Sequence, residues 1–116
     1  YGHTVGDQAI VYVANQIHNI CKDYGIVGRY GGEEFIVLLN HSDHTIASQI
    51  ADRLLEVLHT EPFILESGDS FFLTVSIGLC SNENQEYISV NEMILHADYS
   101  LYHAKNSGRN QVAVYR

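Results

Sequence analysis

The chain has 116 residues, 46% of them hydrophobic, which is enough for the core of one domain and too short for two. With 17% charged residues and one proline, the composition is that of a globular chain rather than a disordered one. A formal charge of −8 with only six Lys and Arg excludes a protein built to track nucleic-acid backbones, whose affinity rests on cations. It still admits a small phosphorylated ligand if metal ions bring positive charge.

No apolar run approaches the roughly 20 residues of a membrane span, and no signal-peptide pattern opens the chain, so the expected setting is cytoplasmic. The two cysteines, Cys21 and Cys80, match no zinc or redox spacing and read as reduced thiols. No initiator Met precedes Tyr1-Gly2-His3 and no cap opens a domain there, so the chain reads as part of something longer.

Ile10, Val13, Ala14, Ile17, Ile20 and Cys21 recur at helical steps and predict a helix from Asp7 to about Cys21, with Asp7 as its N-cap. Ile26 to Tyr30 and Phe35 to Leu39 are β-prone runs around Gly31-Gly32, a hairpin signal. A second helix is expected from His44 to His59, capped by Asp43 and ended by Pro62, with Ile46, Ile50, Ala51, Leu54, Val57 and Leu58 inward. Phe63 to Leu65 and Phe71 to Leu79 flank Ser67-Gly68-Asp69 as a second hairpin, its longer strand facing the core through Phe71, Leu73, Val75, Ile77 and Leu79.

Ser89 with Glu92 forms a capping box for a third helix that buries Ile94, Ala97, Leu101 and Ala104 and stops at Gly108. Gln111 to Tyr115 is a last short strand. This order predicts a mixed α/β fold, with a largely antiparallel sheet flanked by helices.

Three segments hold residues that can do chemistry. Arg29-Tyr30-Gly31-Gly32-Glu33-Glu34-Phe35 sets two glycines, whose bare amides let a polyphosphate approach, beside two carboxylates of the kind that hold Mg²⁺ against phosphates. A plain hairpin turn with solvated acids reads equally well from the local pattern. Lys105 and Arg109 flank the end of the third helix, where they can converge on a phosphate or simply answer the helix dipole. Asp7 follows a spaced glycine pair, Gly2 and Gly6, at a helix start.

The histidine pairs His41 with His44 and His96 with His103 match no zinc pattern. Tyr99 and Tyr102 read as packing or rim residues, and Glu83, Glu86 and Glu92 as a solvated face.

In sequence these segments read YGHxxGD, RYGGEEF and AKxxGRN, and together they resemble the GGDEF family of diguanylate cyclases in its GGEEF form. The resemblance runs the length of the chain as one domain. It implies a nucleotide-cyclase, palm-like fold and a metal-dependent condensation of two GTP into cyclic di-GMP with release of pyrophosphate, at the interface of a homodimer. By position, Glu33 would be a metal ligand that helps deprotonate the 3′-hydroxyl, and Glu34 would support the metal or nucleotide. Gly31 and Gly32 would leave room for phosphates, Asp7 would read the guanine edge, and Lys105 and Arg109 would bind terminal phosphates. The cofactor would be Mg²⁺ or Mn²⁺, and an N-terminal sensory or regulatory domain would precede this one in a parent chain that may itself be membrane-anchored.

The chain departs from the family pattern at three places. A metal-binding Asp on an earlier central strand and a guanine-binding Asn would both fall before Tyr1, so the resemblance implies that the first strand and part of the metal site are missing. The inhibitory RxxD positions hold Lys22 and Gly25, which lose the guanidinium fork and the carboxylate. The rival readings are a non-catalytic GGDEF domain that binds GTP or cyclic di-GMP to control an attached domain, and a dimerisation module without nucleotide binding.

A chain extended upstream by roughly 40 to 50 residues, the length a domain of this kind needs to close its core, is expected to form cyclic di-GMP while the 116 residues alone do not. Equal activity of the two in a product assay would overturn that expectation.

Overall fold

The computed structural model describes residues 4–31, 34–39, 43–81 and 89–115, with side chains at all of these except 29–31. Its elements follow the expected order: α1 Val5–Cys21, β1 Gly25–Gly31, β2 Glu34–Leu39, α2 His44–Thr60, β3 Phe63–Ile64, β4 Ser70–Phe71, β5 Ile77–Leu79, α3 Val90–Asn106 and β6 Val112–Val114. The class is mixed α/β. Instead of one continuous sheet, the described strands form three two-stranded ladders: β1 with β2 and β3 with β4 antiparallel, β5 with β6 parallel.

Each helix starts where a short polar side chain answers an open amide. Asp43 Oδ1 accepts from the Ile46 amide at 2.8 Å, and Ser89 Oγ from the Glu92 amide at 3.2 Å. The first helix differs from expectation. Thr4 is its N-cap, its Oγ1 accepting from the Asp7 amide at 3.1 Å. Asp7 therefore stands inside the first turn with its side chain exposed, where a negative charge suits the helix dipole.

Val13, Ile17 and Cys21 of α1 bury against Leu54 and Leu58 of α2, and Val27, Phe35, Val37, Leu73, Val75 and Ile77 close over this cluster. Tyr12 ties the two helices at one end, its hydroxyl donating to the Glu61 carbonyl at 2.8 Å while its ring packs on Phe63 with centroids 5.4 Å apart. Burial pushes the Cys21 thiol pKa up, so the sulfur stays protonated and serves as a small apolar filler.

The expected strand from Phe71 to Leu79 is two short pieces, because residues 72–76 have no ladder partner among the described residues. Its alternation survives from Leu73 onward, but Phe71 is 46% exposed and not in the core. Ile46 likewise lies outside the core, at 36% exposure in the first turn of α2.

Helix α3 lies on β5 and β6. Period-two alternation turns Ile77 toward the α1–α2 cluster and Gly78 toward α3. A Cβ at Gly78 would sit 2.0 Å from the Ala97 carbonyl oxygen and 2.3 Å from the Leu101 amide nitrogen. A glycine within a strand commonly marks such a close backbone approach. The α3 residues facing this strand are small where it matters: Ala104 is fully buried and Ser100 nearly so. Among the described residues, no helix is long and apolar enough to cross a membrane.

Gly78→Ala is expected to cost about 1–3 kcal/mol, since backbone must shift to admit the methyl group. Gly28→Ala, where an added Cβ meets nothing within 4 Å, should be close to neutral. Urea unfolding midpoints of the two variants check the contrast.

Candidate functional site

The β1–β2 hairpin is regular from Gly25 opposite Leu39 to Arg29 opposite Phe35, and then Gly31 pairs with Glu34. The register slips by one residue between Arg29 and Gly31, a bulge that sharpens twist at the tip of the ribbon. Glu34 is thereby the first residue of β2, at the mouth of the turn. Gly32 and Glu33, the turn itself, lie outside the described residues, as do Tyr1 to His3, His41, Glu83 and Glu86.

Lys105 reaches this mouth from the last turn of α3. Its Nζ lies 3.5 Å from Glu34 Oε2, with the two side chains 33% and 36% exposed. Water screens a pair this open, so it contributes at most about 1 kcal/mol. Its value is positional, because it brings together two residues that the sequence holds far apart.

Beyond Lys105 the helix closes in a Schellman arrangement: Gly108 has φ 116°, and the Arg109 amide returns to the Ala104 carbonyl at 2.9 Å. Arg109 and Asn110 then adopt φ 62° and 48°, a left-handed conformation uncommon for residues with a Cβ. Gln111 holds the loop in this shape. Its Nε2 donates to the Ser107 and Arg109 carbonyls at 2.9 and 3.1 Å, and its own carbonyl accepts from the Ile77 amide at 2.9 Å. Sequence reasoning passed over Gln111, whose only signal is its place just after the turn. Local strain of this kind, over-determined by its surroundings, is concentrated at functional positions.

The remaining candidates occupy other elements. Asp7 and Lys22 stand at opposite ends of α1, whose 17 residues span about 25 Å; both are exposed. Gly25 opens β1 with its Cα against the partner strand, and a Cβ there would fall 1.8 Å from the Leu38 carbonyl oxygen. His96 stacks on Tyr115 with centroids 4.0 Å apart, and Tyr99 meets His103 edge-on at 4.6 Å. These rings pack with one another, and Tyr99 keeps an exposed side.

The chain matches the family described as diguanylate cyclase, GGDEF domain, over residues 1–111. It belongs to that family. GGDEF relatives include Diguanylate cyclase A of Treponema denticola, 36% identical over 114 residues, and Diguanylate cyclase VdcA of Vibrio cholerae, 40% identical over 116. These alignments cover 98% and 97% of this chain but 30% and 33% of the relatives. The chain therefore spans about a third of the length of the curated relatives it matches.

Among solved structures, the active GGEEF domain of a diguanylate cyclase from Vibrio cholerae superposes with a TM-score of 0.82 at 28% identity, covering 100% of this chain and 72% of that one. The GGDEF domain of DgcB from Caulobacter crescentus, in complex with c-di-GMP, gives 0.86 at 28% identity, covering 99% and 67%. The mixed α/β fold expected from the sequence is thus the fold of GGDEF domains.

Hard carboxylate oxygens on one or two residues, completed by substrate phosphates, are the donor set Mg²⁺ ordinarily takes in nucleotide sites. Glu34, beside the turn and half-exposed, fits as one such donor. Among the described residues, no three His, Cys, Asp or Glu side chains converge to form a metal cage.

If the left-handed turn at 109 is a conformational constraint, Arg109→Val should lower stability by about 1–2 kcal/mol, whereas Arg109→Gly should leave it unchanged or higher. Thermal unfolding of the two variants measures the difference.

Proposed function

We propose that this chain is the GTP-binding portion of a diguanylate cyclase domain that, in its parent protein, condenses two GTP into cyclic di-GMP and two pyrophosphates. The observation that carries the reading is the Glu34–Lys105 pair, which supports one shared site for the GGEEF acids and the C-terminal cations. Two such domains would face each other as a homodimer. Each 3′-oxygen would form a bond to the partner nucleotide's α-phosphorus as the α–β anhydride bond breaks and pyrophosphate departs.

In this reading Asp7 accepts hydrogen bonds from the two N–H donors on the guanine edge, which its exposed place at the start of α1 permits. Gly31 and Gly32 leave the backbone bare beside the phosphates. Lys105 and Arg109 bind the terminal phosphates and stabilise the charge of the leaving pyrophosphate. Glu33 takes the proton of the 3′-hydroxyl. Mg²⁺ or Mn²⁺ would be held by Glu33 and Glu34, together with an Asp upstream, and supplies charge neutralisation to the transferring phosphoryl group when bound.

Product control through the RxxD positions should be weak or absent. Lys22 keeps a charge without the planar fork of arginine, and the clash of any side chain at Gly25 with Leu38 means that a carboxylate cannot be added without moving the hairpin.

Calorimetry of the chain with GTP, and chromatography of products from the chain extended upstream, test the proposal. Lys105→Met and Arg109→Met are each expected to weaken GTP binding about tenfold, and Glu33→Gln to lower turnover by at least about a hundredfold. GTP binding without turnover in the extended chain would favour the regulatory reading, and no nucleotide binding the dimerisation module. Tight cyclic di-GMP binding that Lys22→Ala abolishes would refute the degenerate inhibitory site, and Gly25→Asp is expected to destabilise the hairpin without restoring such binding.

A further inference from the structure

The ion pair that marks the site also sets two anions in competition for one cation. We propose that Glu34 competes with the ligand's terminal phosphates for Lys105, so that reclosure of the ion pair helps to expel pyrophosphate; the inference deepens the GTP reading and rests on it. Glu34 is on this account a positioning residue that acts through Lys105.

Four properties of the pair support the exchange. Its 3.5 Å separation and one-third exposure make it weak enough to open, because water screens each charge. Lysine suits the task, since its ammonium is a point charge on a flexible stem with three donors and can change partner without losing geometry, as a bidentate arginine cannot. A pyrophosphate or triphosphate bears several negative charges and outbids one carboxylate at equal distance. Once the α–β bond has broken and the pyrophosphate is no longer tethered to the guanosine, only the local contacts hold it, and a carboxylate 3.5 Å from the same ammonium returns to it.

The two ends of the pair are held independently, which is what lets it act as a switch. Glu34 is fixed by its pairing with Gly31 at the start of β2. Lys105 is fixed by the Schellman closure and by the packing of Ala104 beneath it. Neither element needs the ion pair in order to fold, so its opening leaves the scaffold in place. The carboxylate is therefore at hand whenever phosphate leaves.

The test uses inorganic pyrophosphate as probe, in EDTA so that no metal contributes, with calorimetry on the unmodified chain, Glu34→Gln, Lys105→Met and the double variant. Glu34→Gln keeps the side-chain shape and is expected to tighten pyrophosphate binding roughly three- to fivefold, the factor an ion pair of this exposure supports. Lys105→Met should weaken binding, and Glu34→Gln added to it should have no further effect. Raising the salt concentration should shrink the Glu34→Gln effect, and Glu34→Asp should stay near the unmodified chain.

Weaker or unchanged pyrophosphate binding by Glu34→Gln would overturn the proposal, and so would equal tightening in the Lys105→Met background, which would show general repulsion rather than competition for Lys105. Failure of the GTP reading looks different: the pyrophosphate pattern would hold, but GTP would bind no more tightly than tripolyphosphate. GTP binding that depends on Lys105, without the Glu34 pattern, would overturn this inference and leave that reading standing.

Discussion

The close contact between β5 and α3 at Gly78 governs where the C-terminal residues of this chain can act. A helix can approach a strand to within backbone contact only where no Cβ intervenes, and Gly78 supplies that gap opposite Ala97 and Leu101. With α3 seated there, Ala104 is sealed beneath it and the following turn emerges at a fixed height over the parallel β5–β6 pair. Lys105 then has one place to go, toward the β1–β2 hairpin. A helix lifted by even one methyl group would carry Lys105 and the loop beyond it out of register with Glu34.

The hairpin is constrained in the same manner from the other side of the fold. Gly25 lies against the backbone of Leu38, and Val27, Phe35 and Val37 close over the α1–α2 cluster. The tip of the ribbon is thus anchored through its apolar face while its outer edge carries the acids. Two glycines, chosen for what they lack, position two charged residues that meet only weakly. That division of labour suits a ligand site: packing bears the stability, and the charged groups remain loose enough to exchange partners.

Much of the fold was legible in the sequence because its signals are local. The helical periodicity of Ile10 to Cys21, the polar caps Asp43 and Ser89, and Gly108 at the end of α3 each depend on neighbours within a turn. The places where expectation and structure part are those where a distant element decides. Asp7 yielded its capping role to Thr4, since either residue can cap and the entry path of the chain selects between them. The run from Phe71 to Leu79 alternates as one strand should, but pairing needs a neighbouring backbone, and residues 72–76 find none among the described residues. Gln111 and Ser100 carried no pattern that would set them apart, because their roles are defined by carbonyls and helices brought to them by folding.

The sequence by itself determined the class of element at each position and, through three spaced motifs, the family to which the chain belongs. It also exposed the residues able to bind phosphate, because glycines beside acids and cations beside a helix end are chemical facts before they are structural ones. Only the tertiary structure decided that Glu34 and Lys105 face each other, and that Gly25 can bear no side chain. Both depend on backbone approaches between segments distant in sequence, and such approaches are set by how the elements pack rather than by any residue's own preference.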